Sequence, residues 1–340
     1  MPLLLGPDEK LMARVLELEV ENATLKEETI PALETAISDL SAALTLLQHN
    51  IRYRIVNDEA HVTGYYGPGG WLTIPATLGG KPVTTLKSSF RGYEDSSKLT
   101  GLWLPDGLTT IEETSCYGLA GLSVVWFPDS LVSIGSAAFT FCRSLKEVRL
   151  GADDISIGSS AFSYCSSLSH VMLFGERPSL GSGAFSSCTS LVLTQFNHAF
   201  VAIGLDAFSD CPLLSSIDLP IAEGATIDMR LFNSCNSLYM VRILGSLPVV
   251  PDYFIQDCHS LEYVSLPSGV VSINQQAFNN CHALKRISFD GLIAPTNVSD
   301  SWLLGIPLLQ VTVSPPPGSN FPAKGQQWNG AVMGDTHWVG

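Results

Sequence analysis

The apolar residues of this chain fall into one recurring frame. Phe139-x-x-Cys142, Phe162-x-x-Cys165, Phe185-x-x-Cys188, Phe208-x-x-Cys211, Phe232-x-x-Cys235 and Phe278-x-x-Cys281 return about every 23 residues, and Ile255-x-x-Cys258 keeps the register. Three residues after each cysteine comes a leucine, and apolar residues follow at six and eight, as in Leu145, Val148, Leu150 and Leu168, Val171, Leu173. Alternation at period two predicts a short strand with one face inward. A fixed period of this length predicts a solenoid, its strands stacking into a parallel sheet at about 4.8 Å per repeat. Degenerate units at Phe90/Tyr93, Cys116/Leu119 and Trp302/Gly305 bring the array to roughly ten repeats, with atypical ends to cap it.

The segment Ile134-Gly-Ser-Ala-Ala-Phe139-Thr-Phe-Cys142-Arg-Ser-Leu145 resembles the BspA-like leucine-rich repeat consensus I-G-x-x-A-F-x-x-C-x-x-L almost residue for residue. The lead-in, with Val62-Thr-Gly-Tyr65, Leu72-Thr-Ile-Pro75 and Gly80-Lys-Pro-Val83, is similar to that family's first segment. The resemblance covers residues 51–313 and implies a binding or adhesion surface rather than a catalytic site. Residues 51–85 are expected to form the N-terminal cap segment of the array. After Val313, Ser314-Pro-Pro-Pro-Gly-Ser319 predicts a stiff connector, and residues 314–340 a Pro/Gly/Trp extension packed over the last repeat or serving as a separate contact element.

Residues 1–50 are written in a different pattern. Leu11, Val15, Leu18, Asn22 and Leu25, then Ile30, Leu33, Ile37, Leu40, Leu44 and Leu47, follow two heptad seams offset at Pro31. Arg14 with Glu19 and Glu21 with Lys26 match in sign for parallel pairing. The expected fold class is therefore α+β: a leucine-rich-repeat solenoid with a parallel sheet face, preceded by a parallel coiled-coil helix acting as an oligomerising stalk. Asn22 points to a dimer, while Ala36 and Ala43 widen the seam towards the favoured trimer. The alternative is an amphipathic helix folded back as a cap. Asp8, Glu9 and Lys10 interrupt the apolar start, so no secretory signal is read.

Composition narrows the partners. The net charge is −14, from 18 basic and 32 acidic residues, and no basic stripe exists for phosphates, which excludes nucleic acid. Although 46% of residues are apolar, no run is long enough to span a bilayer, and membrane insertion is not expected. The eight cysteines sit almost entirely in one slot of successive repeats, which predicts buried free thiols acting as weak donors rather than disulfides or a metal site. The seven histidines form no ligand pair, and no nucleophile, P-loop or dinucleotide motif is present. No enzyme activity, cofactor or metal is expected.

Positions five and seven after the cysteine slot point away from the core and form two columns on the sheet face. They read Gly101, Val124, Glu147, His170, Leu193, Ser216, Met240, Tyr263, Arg286, Gln310, and Trp103, Trp126, Arg149, Met172, Gln195, Asp218, Arg242, Ser265, Ser288, Thr312. A surface strand has no packing reason to display tryptophan, so Trp103, Trp126, Glu147, Arg149, His170 and Met172 are the candidate ligand-binding residues, unless the lead-in covers the tryptophans. The expected function is a non-enzymatic, oligomeric binding protein that takes a host-surface protein or glycan. A virion fibre or receptor-binding protein of the phage tail fibre type, with other virion proteins at its N-terminus, heads the list. A bacterial cell-surface adhesin and an intracellular (cytoplasmic) scaffold are the alternatives.

Overall fold

The computed structural model describes residues 50–88, 90, 97–307 and 310–335. They wind into a β-solenoid of about 12 turns. Each turn gives one strand to a front ladder and one to a rear ladder. The front ladder runs through Gly70–Thr73, Leu99–Trp103, Val124–Trp126, Glu147–Leu150, His170–Leu173, Leu193–Phe196 and the start of Ser216–Ile227, then through Met240–Gly245, Tyr263–Leu266, Arg286–Phe289, Thr312–Ser314 and Ala331–Met333. The rear ladder holds the shorter strands, such as Thr110–Ile111, Ser133–Ile134, Ser156–Ile157 and Ser179–Leu180. Successive strands pair in parallel and in register, for example Glu147↔His170↔Leu193 in front and Ser133↔Ser156↔Ser179 behind.

The repeat frame explains the core. The phenylalanines form one column inside the coil, with Phe139, Phe162, Phe185 and Phe208 stacked face to face at 5.2, 5.3 and 5.7 Å between centroids. The cysteine, leucine and strand-apolar slots are equally buried. All eight cysteines are free thiols. Seven of them donate to the backbone carbonyl in the phenylalanine slot of the preceding repeat, as Cys165 does to Phe139 O at 3.2 Å and Cys188 to Phe162 O at 3.3 Å. The thiols therefore tie one turn to the next.

The expected α+β class is corrected to an all-β solenoid, because the elements of the described residues, from Ile51 to Met333, are strands. The N-terminal coiled-coil helix is no part of the fold these residues form, and its heptad positions, Leu11 to Leu47, lie outside them. Within each repeat the connections are turns rather than helices. The segment between rear and front strands closes tight i→i−3 turns, from Ala138 N to Gly135 O, Cys142 N to Phe139 O and Leu145 N to Cys142 O. Between these bonds the backbone enters the left-handed region, at Ala137 (φ 54) and Phe141 (φ 64), and repeats the pattern at Ser160 and Tyr164. Left-handed residues cannot propagate an α-helix, so the chain turns instead.

Both ends are capped by hairpins. Ile51–Val56 pairs antiparallel with Glu59–Tyr65 through Asn57 and Asp58, both at positive φ, the geometry of a type I′ turn. The lead-in is more than a cap, since Glu59–Tyr65 and Gly70–Thr73 supply the first rear and front strands that pair onward in parallel, with Lys81–Leu86 and Leu99–Trp103. At the other end Gln327–Trp328 folds against Ala331–Met333. Trp328 packs there on Trp302, Phe289 and Phe321, and Trp302 Nε1 donates to Asn329 O at 2.7 Å. The described part of the C-terminal extension thus covers the last repeat. No helix among the described residues is long and apolar enough to cross a membrane.

Candidate functional site

On the front face, the alternation along Leu99–Trp103 buries Leu102 and turns Gly101 and Trp103 outward, and the next strand repeats this with Val124 and Trp126. In-register pairing sets Trp103 beside Trp126, where the two rings lie 5.1 Å apart at 30°. Both are half-buried, because each covers part of the other. The lead-in does not lie over them. Its strand Gly70–Thr73 joins the ladder alongside, pairing Thr73 with Trp103 and Trp71 with Gly101.

Trp71 was not among the expected residues, yet it is the most open indole of this cluster, 50% exposed. A Cβ placed on Gly101 would stand 2.5 Å from the Trp71 ring, so the absence of a side chain at 101 lets the indole lie against the strand. The signal was in the sequence: Gly70-Trp-Leu-Thr73 has the same alternation as Thr100-Gly-Leu-Trp103, with Trp71 in the fifth-position column. Taking residues 51–85 as a cap hid it.

The other four expected residues form a second patch. Glu147 stands opposite His170, and Arg149 opposite Met172. The guanidinium of Arg149 sits 5.0 Å from the Phe174 ring centroid, and His170 Nδ1 shares a 2.7 Å hydrogen bond with Ser169 Oγ. The ladder is not hydrogen-bonded between Val124–Trp126 and Glu147–Leu150, which divides the two patches. Further along, Arg242 forks onto Asp218 across neighbouring strands, its Nε 2.7 Å from Oδ1, and the pairing raises the guanidinium pKa. The expected columns fail at their C-terminal end. Arg286 pairs with Thr312 and Ser288 with Ser314, two residues later than the frame predicts, while Gln310 turns back to donate to the carbonyls of His282 and Leu284.

The family signature and the geometry agree. The BspA type Leucine rich repeat region family matches in six copies, over residues 88–214 and 175–285. The chain belongs to this family. No curated protein sequence matches it. Among solved structures, this BspA-type array is similar to a leucine rich cell surface protein from Faecalibacterium prausnitzii, at 22% identity over 80% of this chain and 94% of that one, with a TM-score of 0.40. A leucine-rich repeat protein from Bacteroides ovatus is 21% identical over 84% and 89% of the two chains, with a TM-score of 0.49. A leucine-rich repeat protein of T. pallidum is 18% identical over 72% and 84%, with a TM-score of 0.34.

Proposed function

We propose that this chain is a non-enzymatic binding or adhesion protein that takes a host-surface ligand on the N-terminal half of its front face. The observation that carries this is Trp71, whose ring lies against Gly101 on one side and is open on the other, next to the Trp103–Trp126 pair. An open indole beside two half-buried ones matches the C–H face of a sugar ring, so a glycan is the ligand this geometry suits best. The Arg149, Met172 and Phe174 patch favours a second reading, a protein partner, since arginine and large soft side chains dominate protein hot spots.

Membership in the BspA family supports display as a bacterial surface adhesin. The alternative of a virion fibre draws on residues 1–50, which bring no structural observation to it. A glycan array probed with the wild-type chain and with a Trp71→Ala/Trp103→Ala variant tests the proposal. The variant loses at least tenfold in binding while its Tm stays within a few degrees of the parent. Binding that survives both substitutions, with the fold intact, overturns it.

A further inference from the structure

The rear ladder is broken at one place, and the sequence says why. In repeat after repeat the residue following the rear strand donates its N–H to the last carbonyl of the strand before it: Gly135 to Ile111, Gly158 to Ile134, Gly181 to Ile157, Gly204 to Leu180, Asp228 to Ile203, Asn274 to Val250 and Ser299 to Ile273, all at 2.7–3.0 Å. Pro251 occupies this slot between Asp228 and Asn274, and proline has no N–H to give. The carbonyl of Ile227 therefore receives no such bond. Pro248 stands in the place of Val271, whose N–H bonds to Pro248 O, and so removes a second donor. Ser216–Ile227 accordingly ends the first rear ladder, and Val249–Val250, Ser272–Ile273 and Asn297–Val298 form a separate three-stranded sheet.

The break leaves a cleft of about 310 Å³ between the strand edge at Ala225–Ile227 and that at Val249. Its apolar lining includes Met229, 37% exposed, and Val249, 44% exposed. Its charged lining is wholly acidic: Asp228 and Asp252. Each spends one carboxylate oxygen on a neighbouring backbone amide, Asp228 on Met229 N at 2.9 Å and Asp252 on Gln275 N at 3.2 Å. The cation next in sequence, Arg230, is held by Asp206 at 2.8 Å.

We propose that this break is a binding slot for an extended peptide carrying a lysine or arginine. The peptide backbone replaces the hydrogen bonds that the two prolines delete, with an amide donating to Ile227 O, as strand addition to an open edge requires. The aliphatic stem of the basic side chain lies along Met229 and Val249, and its charged end meets Asp228 and Asp252. Everything the walls offer in charge is an acceptor, which excludes acidic peptides.

Calorimetric titration with the capped tripeptide Val-Lys-Val, beside Val-Glu-Val, tests this on the full chain. Val-Lys-Val is expected to bind and Val-Glu-Val not to. Asp228→Asn/Asp252→Asn weakens the lysine peptide at least tenfold. Pro251→Ala, which restores the missing N–H, closes the ladder and abolishes binding. If that variant does not fold, Val249→Trp, which fills the slot from an exposed position, is expected to give the same loss. Trp71→Ala binds the peptide like the parent, which separates this site from the front face. Absence of binding to the parent, equal binding of both peptides, or affinity unchanged in the Asp and slot-filling variants overturns the proposal.

Discussion

The cysteines show how a single side chain serves a repeat. Each is buried, and burial pushes the thiols of Cys165 and Cys281 up to about 12 from an ordinary 9.0, so both are protonated and unreactive at neutral pH. In the unfolded chain the same thiols ionise near their ordinary value. The unfolded state therefore holds fewer protons than the folded state above about pH 9, and stability falls as pH rises from there until the folded thiols also ionise near 12. Urea midpoints measured between pH 8 and 11 are expected to decline, and Cys165→Ala is expected to decline less steeply. Equal slopes in the two proteins refute this. That these cysteines are small buried donors was legible from their fixed slot; that they bond to the preceding repeat was not, because a spacing does not say which carbonyl lies above it. Trp71 was legible in the alternation of Gly70–Thr73, but the Gly101 platform beneath it was not, since it belongs to a different strand.

At the scale of the element, the phenylalanine column supplies the contact between turns that strands of two to four residues cannot. Phe185 stacks between Phe162 and Phe208 at 5.3 and 5.7 Å with nothing of it exposed. Phe185→Ala is expected to cost about 3–5 kcal/mol, measured by chemical unfolding, because the flanking rings are fixed by their own repeats and cannot collapse into the space. A cost under about 1 kcal/mol contradicts the close packing described. The strands and their inward residues were legible in the period-two alternation of Val148–Leu150 and its equivalents. The conformation of the turns was not legible, because hydrophobic pattern is silent there and backbone conformation decides. Alanine, phenylalanine, serine and tyrosine at 137, 141, 160 and 164 give no hint of the left-handed φ they adopt. The slip at Arg286↔Thr312 escaped for the converse reason, two extra residues inside an otherwise regular frame.

Across the whole molecule, each turn touches only its neighbours, so stability propagates along the axis as a chain of interfaces. The C-terminal end rests on Trp302, 1% exposed, with Trp328 and Asn329 closing over it. Trp302→Ala is expected to strip hydrogen-exchange protection first from Thr312–Ser314 and Arg286–Phe289, leaving Glu147–Leu150 unchanged. Uniform loss along the chain would show a single cooperative unit instead. The solenoid was legible because seven units carry the same Phe/Ile-x-x-Cys frame; its extent was not, since about 12 turns are present where roughly ten were expected. The proposed binding face stands out in the sequence only as a column of unusual residues, since a surface carries no periodic constraint of its own.

A scaffold fastened by thiol-to-carbonyl bonds and no covalent cross-link is indifferent to the redox potential around it. The exposure comes on opening: an array that unravels in air presents eight thiols at once, and any pair that joins out of register blocks its return. For such a chain, survival outside a reducing compartment is governed by how rarely it opens, a matter of unfolding rate more than of depth of the folded well.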